Sequence, residues 1–424
     1  MARSRFSGGD PETMGMARGT RPGRARSALG VVVALGGVVT AGALFAGAVT
    51  TSVARTIVTP PRRRTEDTRV IGYDATEGTV QLSASDDALL PGDYSFWFAQ
   101  GTGHARVGQI VSRTPTTVTR KVIAVDHGDL SAARAGRFTG WYYLSPGELG
   151  IPFDDVRVQT SLGNAPAWLI PAADLRVGGD PESPSDRWVI QVHGRATVRQ
   201  EALRAIPVFR AAGYTSLLIS YRNDGEAPQS PDHRYALGDI EWLDVESAVL
   251  YALEHGAQSV VLMGWSMGGA TVLQAATRSR VASVVRGVVL DSPVINWVDT
   301  LRYQGEAMSL PGPVKSGILA LISKPWGRLF TGQRKPIDLA RLDFVRRADE
   351  LAVPVLILHS DDDGFVPSNG SRELAAARPD IVTFVPFETA RHTKLWNYDR
   401  DLWNASIAEW LAKLDDAPPA SPAE

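Results

Sequence analysis

Apolar positions fall into three regimes along the chain. From Ala28 to Val49 the sequence reads ALGVVVALGGVVTAGALFAGAV, uncharged and with Thr40 as its one polar residue. As a helix rising ~1.5 Å per residue, this run spans roughly 33 Å, the hydrocarbon thickness of a bilayer. A helix apolar on every side predicts a transmembrane anchor, residues 28–53, rather than an amphipathic core helix. Ser52-Val53-Ala54 has the small-x-small form of a signal cleavage site, but the run exceeds the roughly 7–15 residues of a signal-peptide core. Arg18, Arg21, Arg24 and Arg26 precede the run, and Arg55, Arg62, Arg63 and Arg64 follow it. The positive-inside bias is thus balanced and does not orient the span. Residues 1–27 form a basic tail. Residues 54–67, which contain Thr59-Pro60-Pro61-Arg62-Arg63-Arg64, read as a stiff charged linker.

Between 68 and 150 the pattern shortens to strand-like runs separated by turn residues. Val70–Asp74, Thr79–Leu82, Tyr94–Phe98 and Lys121–Val125 are the clearest, and they predict a small β-rich domain. His104 and His127 within it read as surface or loop histidines.

From 151 to 416 short apolar runs alternate with helical periodicity. Val156–Gln159 and Ala167–Ile170 suggest a leading hairpin. Strands follow at Trp188–Val192, Ser216–Ser220, Ser259–Met263, Gly287–Leu290, Val353–Leu358 and Ile381–Val385. Helical patterns at Gln200–Ala212, Gly238–His255, Met267–Arg278, Asn369–Arg378 and Asp399–Leu414 lie between or after them. Buried strands alternating with helices imply an α/β class with a mainly parallel, doubly wound sheet. Residues 293–342 interrupt the alternation with apolar residues at helical spacing, which reads as a helical insertion over the site or as a long strand-to-strand connection with a structural role. Residues 417–424 read as a disordered tail.

Composition narrows the chemistry. The chain has 424 residues, no cysteine and a net charge of −2. Disulfides, cysteine-type zinc sites and a cysteine nucleophile are therefore excluded. With no basic stripe interleaved with aromatics, nucleic-acid binding is not expected. The acidic run Asp361-Asp362-Asp363 lacks further ligands at EF-hand spacing, so no calcium site is expected.

What remains is nucleophilic chemistry. Gly264-Trp265-Ser266-Met267-Gly268 lies between the strand ending at Met263 and a helical run from Ala270. A sharp strand-to-helix turn needs glycine where the backbone crowds, and it lifts the Ser266 hydroxyl to a helix amino terminus. Of the seven histidines, His392 follows the last strand and precedes a carboxy-terminal helix, the position of a base for Ser266. The acid must come from the loop after Leu358, where three adjacent aspartates leave the choice open. Oxyanion donors are expected from the amide of Met267 and from that of Arg195, in the loop His193-Gly194-Arg195. His193 itself reads as a histidine that holds this loop. Trp265, Tyr221 and Arg222 are candidate substrate contacts, because loops at this end of an open sheet bind ligands. Arg222 could equally tie Asp224 or Glu226 into a rigid loop.

Taken together, these residues resemble the α/β-hydrolase superfamily over roughly Val156 to Leu414, and most of all its peptidase S9-like and BEM46-like branch. That branch carries an H-G-x loop, a Tyr-Arg turn, G-x-S-x-G and H-G-x-x-D-x-x-V-P before the final histidine. The equivalents here are His193-Gly194-Arg195, Tyr221-Arg222, Gly264–Gly268 and His359–Pro367. The resemblance points to Asp363 as the acid, with Asp361 and Asp362 capping the loop; Ser360 stands where the pattern has glycine. It implies a serine hydrolase with a Ser-Asp-His triad acting on a small-molecule acyl ester, in preference to an amide, without cofactor or metal. An acyltransferase using the same acyl-enzyme, or an inert membrane-tethered interaction protein, are the competing readings. The layout is also similar to membrane-anchored actinobacterial hydrolases. This implies a single-pass membrane protein, held in lipid by its amino-terminal helix, with an extracytoplasmic catalytic domain.

Overall fold

The computed structural model describes residues 44–61, 63–173 and 185–416. The chain divides into two units, residues 1–49 and 50–424. Of the first, residues 44–49 are described and are helical. The predicted anchor lies for most of its length outside the described residues, as do the basic tail and residues 417–424. Among the described residues no helix is long and apolar enough to cross a membrane.

The second unit begins with helix α1, residues 50–58. Six strands then follow: β1 (Thr68–Asp74), β2 (Thr79–Ser83), β3 (Tyr94–Phe98), β4 (Gly103–Arg113), β5 (Thr117–His127) and β6 (Ala135–Thr139). They close into a barrel in the order β1-β2-β5-β4-β3-β6. Alternation explains its core: Val80 and Leu82 from β2, Tyr94, Phe96 and Phe98 from β3, and Phe138 from β6 all point inward. The β-rich pattern is thus a closed barrel, which leaves no open sheet edge. The strands β4 and β6 are weak in the sequence: GHARVGQIVSR and AGRFT are small and polar for strands. Pairing with β3 on either side makes them strands.

His104 corrects the reading of a surface histidine. Its ring is fully buried, with Nδ1 2.8 Å from Asp126 Oδ2 and the Trp97 ring 4.4 Å away. His127, its cross-strand partner, is exposed.

The sheet that follows has eight strands: β7 (Asp154–Thr160), β8 (Gly163–Ile170), β9 (Arg187–Val192), β10 (Thr215–Ile219), β11 (Ser259–Trp265), β12 (Val285–Asp291), β13 (Val355–Ser360) and β14 (Val382–Phe387). Their order is β14-β13-β12-β11-β9-β10-β8-β7. The hairpin β7–β8 is antiparallel, β8 meets β10 antiparallel, and β9 through β14 are parallel. Strands β10 and β13 are buried along their whole length, as strands covered on both faces must be. The chain steps from β9 out to β10 and then returns across β9 to β11. Loops leaving β9 and β11 therefore diverge, and a crevice opens between them.

Helices cover the sheet. The first helical pattern splits at Pro207: residues Arg199–Ala205 form a 3₁₀ turn, and α2 (Ile206–Ala211) carries the proline in its first turn, where no N–H is needed. Then come α3 (Trp242–Glu254) and α4 (Met267–Arg278). The segment after β12 carries α5 (Trp297–Ala307), α6 (Gly312–Ser323) and the single turn α7 (Arg328–Thr331). The carboxy-terminal elements are α8 (Asn369–Ala377), the short α9 (Leu395–Tyr398) and α10 (Arg400–Asp416). Trp403, Ile407, Trp410 and Leu411 of α10 pack into the sheet core.

Burial, opposed by Asp126, pushes the His104 imidazole down from 6.5 to about 4. Between those values the unfolded chain binds a proton that the folded barrel excludes. Stability is therefore lost as pH falls through this window, on the order of 3 kcal/mol for the full shift. Thermal melting of the wild type is expected to fall between pH 6.5 and 4, and His104→Gln to flatten that slope. Equal slopes in the two proteins would remove this role for His104.

Candidate active site

The strand β11 turns into α4 at Ser266, whose backbone sits at φ +51°, ψ −117°. A non-glycine residue there is strained. Its neighbours make the turn possible. A Cβ on Gly264 would collide with the backbone of Gly268, and one on Gly268 with the carbonyl of Val192 at the end of β9. The turn is fastened by Ser266 N–H donating to Asp291 O (3.0 Å) and by Val294 N–H donating to Ser266 O (3.1 Å). Trp265 is fully buried beneath it.

His392 comes from the loop between β14 and α9, flanked by Arg391 and Thr393, both at positive φ. Its Nε2 lies 3.0 Å from Ser266 Oγ, and its Nδ1 lies 2.7 Å from Asp363 Oδ2. An ionised carboxylate only accepts, so Nδ1 carries the proton and Nε2 faces the hydroxyl as an acceptor. Thr393 N–H donates to Ser292 Oγ (3.0 Å), tying the histidine loop to the end of β12.

Asp363 receives four N–H groups. Phe365 and Val366 amides donate to Oδ1, each at 2.8 Å, while His392 Nδ1 and His359 Nε2 (3.2 Å) share Oδ2. Burial pushes this carboxyl up, but His392 and His359 outweigh it and hold the group well below the usual carboxylate range. Backbone capping was expected of Asp361 and Asp362; it is Asp363 that performs it. Asp361 instead pairs with Arg372 at 2.6 Å and accepts from Ser368 Oγ, and Asp362 lies 3.9 Å from Arg391. His359, missed as a functional residue, is legible only as the first letter of its motif.

The loop after β9 is held from several sides. Gly194 N–H donates to Glu201 Oε2 (2.7 Å), and Gly194 O accepts from Tyr221 Oη (2.8 Å) and bonds His193 Nδ1 (2.9 Å). His193 stacks on Tyr221 at 4.3 Å and reaches Asp224, in keeping with a loop-holding histidine. The Arg195 guanidinium donates to the carbonyls of Thr56 (2.7 Å) and Ile57 (3.0 Å), capping α1. Met267 opens α4, so its amide has no partner within the helix.

Three candidate substrate contacts stand elsewhere. Arg222 is buried in a bidentate pair with Asp244 of α3 (2.7 and 2.8 Å), so it ties neither Asp224 nor Glu226. Tyr221 and Trp265 are buried under the loops they support. None of the three lines the cavity above Ser266.

That cavity measures about 410 Å³, within the range of small-molecule sites. Ser266, His392 and Arg195 meet there with Trp141, Arg137 and Arg64, which come from the barrel edge and the linker. A second cavity of about 270 Å³ shares Arg195 and Phe365 with it. Its walls are mainly apolar: Ile57 of α1, Trp297 and Leu301 of α5, Ile318 and Leu319 of α6. The insertion also docks on the acid loop, with Tyr303 Oη donating to Asp363 O (3.3 Å). Among the described residues no cluster of three or more histidine or acidic side chains is arranged to hold a metal ion.

Residues 69–139, the barrel, match the model of a domain of unknown function (DUF8805). No curated protein matches the chain by sequence. Among solved structures, Pyrococcus furiosus esterase Pf2001 is 17% identical, with 64% of this chain and 94% of that chain covered, at a TM-score of 0.48. Est1E from Butyrivibrio proteoclasticus is 16% identical, covering 62% and 99%, at 0.46. A Mycobacterium tuberculosis puromycin-hydrolyzing peptidase is 20% identical, covering 74% and 46%, at 0.44. Residues 189–406 match the model described as "Alpha/beta hydrolase family". That match begins in β9, runs through the Ser266 turn and the acid and histidine loops, and takes in more than half of the sequence: the chain belongs to the alpha/beta hydrolase family.

Proposed function

We propose that the protein is a serine hydrolase that cleaves a carboxylic ester through an acyl-enzyme. One observation carries this reading: the unbroken chain from Ser266 Oγ to His392 Nε2 (3.0 Å) and from His392 Nδ1 to Asp363 Oδ2 (2.7 Å), opening on a cavity. Ser266 Oγ attacks the ester carbonyl while His392 Nε2 takes its proton. The amides of Arg195 and Met267 stabilise the oxyanion that forms. The tetrahedral adduct collapses, the carbon–oxygen bond to the alcohol breaks, and His392 returns the proton to the departing oxygen. Water then repeats the sequence, releasing the acid and restoring the serine. Asp363 stays ionised throughout, holding the imidazole in one tautomer and stabilising its charged form.

The apolar cavity beyond Arg195 and Phe365 suits the acyl half of such an ester. Its wall includes α1, the helix that follows the uncharged run Ala28–Val49. That run supports a single-pass anchor, and the likeness to anchored hydrolases supports an extracytoplasmic catalytic domain.

Ser266→Ala is expected to abolish labelling by a fluorophosphonate probe; undiminished labelling would sink the assignment. Asp363→Asn keeps the shape but lets His392 take the wrong tautomer. It is expected to lower kcat for a short-chain ester by roughly 10³–10⁴-fold while the melting curve stays cooperative. A loss of less than tenfold would move the acid's role to another residue.

A further inference from the structure

The barrel and the linker supply cations to the catalytic cavity that the hydrolytic chemistry does not use. Arg137 lies on β6, where Gly136 and Phe138 face the barrel core and Arg137 faces outward, its guanidinium 5.9 Å from the Trp97 ring centre. Arg64 comes from the linker, and both line the cavity that holds Ser266 and His392. Other cations in that wall are engaged: Arg391 with Asp86 and Asp87, Lys394 with Asp87, and Arg195 with the carbonyls of α1. Among the described residues neither Arg64 nor Arg137 forms an ion pair. The nearby carboxylates act on them only from beyond ion-pair distance, Glu66 and Asp67 on Arg137 and Glu201 on Arg64. Glu66 accepts from Gln100 N–H, Asp67 from Thr68 Oγ1, and Glu201 from Gly194 N–H. Burial, aided by the like charge of Arg64 and opposed by Glu66 and Asp67, pushes the Arg137 guanidinium down to about 10. Two half-buried guanidiniums lining one cavity, neither of them ion-paired, form a site for an anionic oxygen group, which would satisfy both.

The position of the histidine says which half of the substrate carries that group. The departing oxygen must reach His392 Nε2 to be protonated, so the alcohol half lies on the histidine side. Residues 391–394 line the same cavity as Arg64 and Arg137, whereas the apolar cavity lies beyond Arg195 and Phe365. We infer that the substrate is an ester of an apolar acid with an anionic alcohol, whose phosphate or carboxylate sits between Arg64 and Arg137. This rests on the ester-hydrolase reading above and adds the substrate class. The reaction releases the apolar acid and the free anionic alcohol, with water as the only co-reactant.

The test uses the full chain and three esters of one acid: monohexanoylglycerol, hexanoyl glycerophosphate and O-hexanoyl glycerate. Release of hexanoate yields kcat/KM for each, and the readout is the ratio of an anionic ester to the neutral one. In the wild type this ratio is expected to reach roughly tenfold or more, the scale of one or two charge-assisted hydrogen bonds. It is expected to fall towards one in Arg64→Ala and Arg137→Ala, mainly through KM, and below one in Arg137→Glu. Because both esters are compared within one protein, partial loss of folded enzyme cancels. Should the barrel variants fail to fold, Arg64→Ala, in the linker, reads the same ratio. Preference for the phosphate ester alone, the carboxylate ester alone or both supports the inference and identifies the anion. A wild-type ratio at or below one with fluorophosphonate labelling intact overturns the inference and leaves the hydrolase standing, as does a high ratio unchanged in both alanine variants. Absence of both labelling and turnover overturns the two together.

Discussion

The close approach of α4 to the ends of β9 and β11 is the constraint on which the site depends. Backbone meets backbone at Gly264 and Gly268, with no room for a single methyl group at either position. That contact holds Ser266 in a left-handed conformation at the head of α4, beneath the diverging loops of β9 and β11. Strain at one residue is tolerable because the surrounding backbone over-determines it: the Ser266 amide is bound to Asp291 and its carbonyl to Val294. The helix amino terminus and the loop after β9 then face one point from two directions.

Around that point, buried polar groups hold the reacting ones. Asp363 divides its oxygens between two backbone amides and two imidazoles, so it is at once a loop cap and the partner of His392. Buried carboxylates are stable only when satisfied in this way. The same economy holds the loop after β9, where Glu201, Tyr221 and His193 all bind Gly194. Arg195 extends the connection outward. Its amide belongs to the loop beside the serine, while its side chain caps α1, so the helix leading in from the amino terminus is coupled to the site by two hydrogen bonds.

The two cavities divide the site by polarity. Helices of the insertion and α1 build an apolar wall on one side of Arg195 and Phe365. On the other, the barrel edge and the linker build a cationic one. Neither wall belongs to the doubly wound sheet. Segments outside that sheet thus supply both walls, while the sheet and its loops hold the serine, the histidine and the aspartate.

Periodicity was enough for the strands from β9 to β13, because strands buried on both faces must be apolar and bounded. Local backbone need was enough for Gly264, Ser266 and Gly268, since a strand-to-helix turn of that sharpness constrains its own residues. The barrel was legible as β-rich but not as closed: β4 and β6 have little strand character alone and are made strands by pairing. Arg222 looked free to meet a substrate, yet it is committed to Asp244 some twenty residues away in the chain, a partner no local pattern signals. His104 looked superficial because nothing in its neighbourhood along the chain shows that Asp126 and Trp97 will enclose it. Chain order by itself determined the sheet, the sharp turn and the order of Ser266, Asp363 and His392. Which side chains surround them was decided only in three dimensions, because burial, pairing and the convergence of Arg64 and Arg137 on Ser266 depend on residues separated by more than a hundred positions.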